Sequence, residues 1–499
     1  MLNVLRGENR FGFRGQLTLD FPMMICSCSD SGTEDNPNPD PTVTLTEIEL
    51  STNILEFGIT GGEESIYVYL NYDGYSDKEP NDQWQLTGGE SWCKPSITKG
   101  NNGDEVTFSV DGYSENRTTV FTIACGNVKA ELTIIQTGYT SVNVEQAGTL
   151  NSVLSKFDAT SVKMLRITGN LNDEDFLAIR NLPNLEYLDI SELPLTTLPA
   201  KAFANMYDIK GIVLPTSLTV IPESLCAHCY DLSSIVIPKN VEVIEMSAFY
   251  NCRNLSSVEL NPKLKIIKSG ELNMYSGAFE NCQSLTSITI PASVESIQMR
   301  AFKNCSSLAT ITFVKPSQLK TIGGDYHGNL VITEGSQETY SEGYGAFQEC
   351  AITSIEIPAS VEEIMPAAFY GCKALTTVTF GKGSQLKRIG GINHKTNGWY
   401  HAAGAFAKCS ELATFDATNC QSIEYIEALA FYSCPISLFK IETMNPPINR
   451  GTIGDYGQKL PVFSGLASYS ILKVPTGSSE NYKANDDWNE FASISALDE

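Results

Sequence analysis

Fourteen cysteines and four histidines are the residues of this 499-residue chain best suited to metal, redox or nucleophilic chemistry. Cys226 and Cys229, with His228 between them, form a C-x-x-C, the spacing that serves a zinc ion or a dithiol couple. No second ligand pair of suitable spacing accompanies it. His228, His327, His394 and His401 fall in no H-E-x-x-H, and neither a G-x-S-x-G elbow nor a P-loop occurs. The acidic pairs Asp173 with Asp175 and Asp486 with Asp487 read as solvated charge. These residues therefore predict no enzyme activity, no metal site and no cofactor.

The cysteines have a different organisation. Eight of them, Cys229, Cys252, Cys282, Cys305, Cys350, Cys372, Cys409 and Cys434, occupy one slot of a repeat, and Met206 fills the same slot at its start. Around that slot A-F-x-N-C-x-x-L-x-x-I recurs 23 residues on, from Ala278 to Ala301. Leu285, Ile288 and Ile290 spell the L-x-x-L-x-L strand of a leucine-rich repeat, and Pro291 ends it because proline donates nothing to a ladder. Val294 and Ile297 turn back under the strand before the next A-F pair. A period of this size marks a solenoid, in which equivalent residues stack and each unit buries its apolar face on its neighbours. An exported chain rich in cysteine suggests a disulfide framework. A slot repeated in the interior of a solenoid suggests instead reduced thiols acting as small buried apolar groups. The second reading is adopted here, and in its register Cys226 stands where Phe249 and Phe302 stand in other units.

The slot spacings are 23, 23, 30, 23, 45, 22, 37 and 25 residues, so the period is stretched three times, near 268–277, 323–345 and 390–404. Each stretch lies between the turn-back isoleucine and the next A-F pair, which predicts three inserts on one edge of the array. They carry Tyr275, Tyr326, His327, Tyr340, Tyr344, His394, Trp399, Tyr400 and His401. Tyrosine and tryptophan are favoured interface anchors, so these nine are the candidate binding ledge. The competing reading has the same aromatics pin the long loops onto the solenoid. The outward strand residues, among them Ser287, Thr289, Thr310, Thr312, Ser354 and Thr379, make a carpet of short hydroxyls, which cross-strand pairing would explain without a ligand.

On these motifs the chain resembles the BspA-type leucine-rich repeat proteins of bacterial surfaces over roughly residues 140–495, and VPTGSSENYKANDDWNEF at 474–491 resembles the closing segment of such arrays. What the resemblance implies is binding at the cell surface rather than catalysis. Residues 43–138 have no repeat. Alternation at Ile66, Val68 and Leu70, at Val106, Phe108 and Val110, and at Leu132 and Ile134 predicts short strands of an antiparallel, immunoglobulin-like sandwich. This stretch resembles a BACON domain, with Trp92 and Gln136 at its characteristic positions. The resemblance implies, weakly, carbohydrate or mucin binding. Tyr67, Tyr69 and Trp84 are the candidate glycan contacts, with Tyr72 and Tyr75 beside them, since sugars stack on exposed aromatic rings. The bland alternative is half-buried strand tyrosines.

Fifty-eight acidic residues against 34 basic ones give a net charge of −24, which argues against nucleic acid or an anionic membrane surface as partner. The start, through LTLDFPMMICSC, reads as an export signal ending at a lipidated Cys28, although Asp20 interrupts a short apolar stretch and Cys26 departs from the usual lipobox. The polar, proline-rich SDSGTEDNPNPDPT that follows reads as a tether. Simple secretion is the alternative to lipid anchoring in the outer membrane.

The expected fold is therefore mainly β with short helices, a leucine-rich repeat solenoid preceded by the small sandwich. Its organisation is a leader at 1–28, a tether at 29–42, the sandwich at 43–138, an N-terminal cap at 139–182, the array at 183–473 and a C-terminal cap at 474–499. Two functions follow: an adhesion protein whose array contacts a host or neighbouring-cell protein, or a glycan- or mucin-binding accessory lipoprotein. Oligomeric state is left open.

Overall fold

The computed structural model describes residues 43–74, 81–113, 115–270, 277–323, 345–390, 404–449 and 460–499, and the backbone alone at 395–396, 399–400, 452–453 and 458–459. The leader, Cys28 and the tether lie outside the described residues. Two compact units divide the chain, one built from the sandwich strands and one from Gln136 onward, with 58–60 and 112–117 grouping with the second.

In the first unit, two sheets share one core. One has Thr44–Leu50, Gly62–Asp73, Glu105–Val110 and Cys93–Pro95 in that order; the other has Ile54–Phe57, Val128–Gln136, Arg117–Cys125, Trp84–Gly88 and Lys99–Gly100. The period-2 alternation sets the inward face: Ile66, Val68, Val106, Phe108, Ile123, Leu132 and Ile134 are buried between the sheets. Phe108 packs on Phe121 with ring centres 5.1 Å apart.

The second unit is the solenoid, made of two parallel ladders. The inner one runs through Thr140–Val144, Met164–Gly169, Tyr187–Asp189 and Gly211–Val213 and goes on, in three separately paired stretches, to Ile471–Val474 and Ser493–Ala496. Its first two strands thus lie within 139–182, the segment expected to cap the array. The outer ladder consists of two-residue strands ending on the turn-back isoleucines, from Val220–Ile221 to Tyr425–Ile426, eight in one sheet. Between the ladders, Phe249, Phe279, Phe302, Phe347, Phe369, Phe406, Phe431 and Phe463 stack with ring centres 5.1–5.6 Å apart and planes within 13° of parallel. Parallel stacking follows from equivalent positions repeating at the unit spacing. At the lower end the column is broken by Cys226, beyond which Phe203 meets Phe176 of the capping helix edge-on. At the upper end Trp488 closes it edge-on against Phe463.

The asparagine of A-F-x-N-C has a backbone cause. The residue before each slot, from Asn205, His228, Asn251, Asn281 and Asn304 through Gly371 to Lys408 and Ser433, has φ between 57° and 68°, the left-handed region that asparagine tolerates best among side-chain-bearing residues.

Both acidic pairs are corrected by the structure in one member each. Asp175 is only 1% exposed and accepts the backbone N–H groups of Gly148, Leu150 and Asn172, closing a capping box with Asn172. Asp487 is also buried and accepts from the Asn449 amide at 3.0 Å. Their charge is spent on unpaired donors inside the caps rather than on solvent.

A register device absent from the sequence reading appears on the outer ladder. The residues just before its strands alternate in sign: Glu242, Lys265, Glu295, Lys320, Glu362, Lys387, Glu424. Lys265 pairs with Glu242 at 2.7 Å, and Glu362 is held by Lys387 at 2.7 Å and Lys320 at 2.9 Å. Hydrogen bonds from Lys387 and Lys320 pull the Glu362 carboxyl down to about 2. Such exposed pairs stabilise little individually, but a shift by one repeat would place like charges together.

Candidate binding face

The thiols do no chemistry in this architecture. All twelve cysteines among the described residues are free and buried. In each of the eight slot positions the Sγ–H donates to a main-chain carbonyl of the preceding unit at 3.0–3.3 Å; that acceptor is the A-F phenylalanine except at Cys252, which uses Cys226. Cys226 therefore replaces a phenylalanine in register, as the repeat predicts. Burial pushes thiols such as Cys252, Cys282 and Cys350 well above their ordinary range, and since the thiolate is the reactive form they are inert. Among the described residues no group of three or more His, Cys, Asp or Glu could hold a metal ion. A thiol reagent such as dithionitrobenzoate should find none of these twelve in the native protein and all twelve in guanidinium; partial native reactivity would show that the ladder opens.

The three inserts have their stems on one edge. Each leaves after an outer-ladder strand, Ile266–Ile267, Thr321–Ile322 or Arg388–Ile389, and returns at Ala278, Ala346 or Ala405 in register with the A-F pairs. Backbone bonds from Ala278 N to Lys268 O and from Ala405 N to Gly390 O close the first and third. The candidate ledge residues themselves, Tyr275, Tyr326, His327, Tyr340, Tyr344, His394 and His401, lie outside the described residues. Trp399 and Tyr400 are described in backbone only, as one strand of a short hairpin with Lys395–Thr396.

A fourth insert went unseen in the sequence. Ile448 bridges to Tyr425 as the next turn-back residue, and Val462–Phe463 pairs beside Phe431 as the next A-F equivalent. Valine for alanine, together with the absence of a slot cysteine, hides this unit; the stacking of Phe463 on Phe431 reveals it.

On the inner sheet the hydroxyl carpet differs from expectation. Among the described residues the side chains of Ser287, Thr289, Thr310, Thr312, Ser354 and Thr379 make no hydrogen bond within the protein. Cross-strand hydroxyl bonds do form elsewhere in the protein, as between Ser65 and Thr107 at 2.9 Å and Ser296 and Thr321 at 3.3 Å, but none forms among these residues, so cross-strand hydrogen bonding does not account for them. The hydroxyls that are engaged lie one position earlier, where Ser233, Ser256 and Thr376 donate to carbonyls of the preceding repeat.

The inner ladder is also open at two seams. Ser287–Ile290 and Thr310–Phe313 pair only with each other, separated from Ser257–Glu259 on one side and Ser354–Ile357 on the other. At the second seam Thr310, Ser354, Glu356, Thr377 and Thr379 line an open groove of about 410 Å³. Lys315 bonds both oxygens of Glu356 across it, at 2.9 and 3.1 Å. This repeat is one residue shorter between Cys350 and Ile352 than between Cys305 and Leu308. The same shortening at Cys434–Ile436 leaves its ladder whole, so shortening alone does not open the seam.

The sandwich candidates separate. Tyr67 and Tyr69 are 43% and 42% exposed on the outer face of their strand. Trp84 is corrected: it is fully buried and donates its indole N–H to Asn101 O at 2.8 Å. The alternation Trp84, Gln85, Leu86 is the signal that places it inward with Leu86. Tyr72 is half-buried and donates to Asp82 at 3.1 Å; Tyr75 lies outside the described residues. Gln136 is buried, giving its amide to Gly58 O and accepting from Arg117.

Against known families, the model for the "BspA type Leucine rich repeat region" matches in six copies over residues 154–256, 272–334 and 340–454, more than half of the chain. The BACON model, described as "Putative binding domain, N-terminal", matches residues 82–147. No curated protein matches the chain. Among solved structures, a leucine-rich repeat protein from Bacteroides ovatus is 18% identical, with a TM-score of 0.35, covering 67% of this chain and 88% of its own. A leucine-rich repeat protein from Eubacterium ventriosum is 16% identical, with a TM-score of 0.29, covering 75% and 100%. A leucine rich cell surface protein from Faecalibacterium prausnitzii is 18% identical, with a TM-score of 0.28, covering 73% and 84%.

Proposed function

The chain belongs to the BspA-type leucine-rich repeat family, and from that premise we propose that it is a non-catalytic binding protein of the cell surface whose array holds an extracellular protein of a host or neighbouring cell. Proteins with these repeats and BACON domains typically bind rather than catalyse and typically work at the surface or after secretion. Attachment through lipid on Cys28 is part of the proposal. Among the described residues no helix is long and apolar enough to cross a membrane.

The observation that carries this reading is the row of unengaged hydroxyls on the inner sheet, with the groove between Thr310 and Ser354 at its middle. A rigid parallel array offers these donors and acceptors at fixed spacing, so a partner gains hydrogen bonds without the protein losing any and without ordering loops. The aromatic ledge on the insert edge is the second contact surface of the proposal.

The test immobilises matrix proteins and mucins and compares the full chain with Thr310→Lys/Thr377→Lys and with a variant whose 323–345 and 390–404 inserts are cut to glycine turns. A drop of tenfold or more on a protein ligand in either variant, at unchanged thermal midpoint, is the expected result. Unchanged binding in both would reject the array as the contact surface. A glycan reading is favoured by one observation, the exposed pair Tyr67 and Tyr69, and Tyr67→Ala/Tyr69→Ala losing mucin binding alone would select it.

A further inference from the structure

Outside the surfaces above, one group of side chains is preassembled without serving the core. The residue after each cysteine slot forms a surface column, and its first three members are Tyr207, Tyr230 and Arg253. Tyr207 and Tyr230 lie face to face with ring centres 5.1 Å apart and planes 17° from parallel. The Arg253 guanidinium sits over Tyr230 at 5.0 Å. Arg253 belongs to the following repeat and Tyr207 to the preceding one, so the two cover opposite faces of Tyr230. Behind the stack, Arg253 Nε–H donates to Asn251 Oδ1 at 3.0 Å, and Asn251 Nδ2 lies 3.0 Å from His228 Nδ1. Burial and Arg253 hold the His228 imidazole below its ordinary range. A neutral ring then accepts at Nδ1, and the chain from His228 to Arg253 is fixed. His228 also meets Tyr250 and Tyr230 edge-on.

Tyr207 ends this stack. One of its faces is covered by Tyr230, yet half of the residue is exposed, so its other face is open and held flat by a rigid support. Tyr207 and Tyr230 are each followed by an aspartate, Asp208 and Asp231. Asn254 Nδ2 bonds one oxygen of Asp231 at 2.9 Å, leaving its second oxygen, and the whole Asp208 carboxylate, without a hydrogen bond in the protein.

We propose that Tyr207 is the platform of a saccharide site, on which a neutral pyranose lays its C–H face while Asp208 accepts from its hydroxyls. A sugar ring is apolar on one face and hydrogen-bonding at its rim, and this site offers both features side by side. The net charge of −24 favours a neutral sugar over an acidic one. The site lies in the first repeats, away from the groove at Thr310 and Ser354, and stands independently of the protein-binding reading.

The test measures binding of cellohexaose, xylohexaose, mannohexaose and chitotriose to the full chain by calorimetry and saturation-transfer NMR, with Tyr207→Ala and Tyr207→Phe beside it. The expected result is binding of at least one probe that Tyr207→Ala weakens on the order of fivefold to tenfold, the range of an aromatic contact. Tyr207→Phe should keep that affinity, because the ring face and not the hydroxyl is used, and the thermal midpoint should not move. Thr310→Lys/Thr377→Lys should leave it untouched. Binding of none of the four probes, or equal affinity in Tyr207→Ala, would overturn the proposal. Loss of a protein ligand in Tyr207→Ala without saccharide binding would make the stack a protein contact and overturn it equally.

Discussion

Phe347→Ala should cost about 3–5 kcal/mol, the range for removing a fully buried phenylalanine, and should convert a single urea transition of the array into two. Phe347 stacks between Phe302 at 5.3 Å and Phe369 at 5.6 Å. On the Phe302 side the inner strands do not pair, so the two halves of the array are joined there by fewer interactions than at most other boundaries. The bonds across it include the ring stack, the Cys350 thiol on Phe302 O at 3.1 Å, the backbone bonds from Phe302 and Asn304 to Ala346 and Gln348, the outer-ladder pairing of Thr321–Ile322 with Glu363–Ile364, the Ser360 hydroxyl on Leu319 O, and the exposed ion pairs of Lys315 with Glu356 and Lys320 with Glu362. In a solenoid stability is a sum of repeat and nearest-neighbour terms, so the weakest interface is where cooperativity breaks first. The comparison is Phe369→Ala, at an interface whose inner strands are paired through Thr377 and Thr414. That variant should lose similar stability in one transition. Identical single transitions in both would show that the open seam does not weaken coupling.

Gly404→Ala should be as damaging through the opposite fault, too little space. The third insert ends at Gly404, the first at Gly277 and the second at Gly345, and a Cβ on any of them would fall inside the backbone of the following repeat, at Leu429, Arg300 and Ala367 respectively. Those three acceptor residues have φ of 60°, 54° and 58°, so a second, left-handed backbone position is wedged against the glycine and cannot yield cheaply. Overpacking of this kind costs about 1–3 kcal/mol and sometimes more where the obstacle is backbone. We expect about 3 kcal/mol for Gly404→Ala, against less than about 1 kcal/mol for Gly383→Asn, where a Cβ meets nothing within 4 Å and asparagine tolerates the φ of 73°. Chemical denaturation of the two variants gives the comparison. A Gly404→Ala protein as stable as the parent would show that the insert stems are looser than this packing implies.

The closing glycines also show how far reading the chain can go. Gly277, Gly345 and Gly404 are visible in the sequence as glycines just before the A-F pairs that end the inserts. Their reason lies in the next repeat, two dozen residues away, and no local pattern contains it. The buried Trp84 taught the same lesson in reverse. Its type suggested a sugar contact, while its alternation with Leu86 already pointed to the core. Asp175 and Asp487 looked like solvated charge until backbone and amide donors were found waiting for them.

The period, the strand and turn-back positions, the cysteine slot and the insert edge all follow from the sequence itself, because in a solenoid each unit meets its neighbour at the same residues and a pattern in one dimension becomes a column in three. The sandwich strands follow likewise from alternation. Only the tertiary structure decides what depends on neighbouring units not being identical: the seams that open the inner ladder, the hydroxyls left without partners, the disguised unit ending at Phe463, and the stack of Arg253, Tyr230 and Tyr207. A repeat pattern describes what units share, and binding surfaces arise where one unit presents a side chain that its neighbour answers or leaves free, which the packing of particular residues determines.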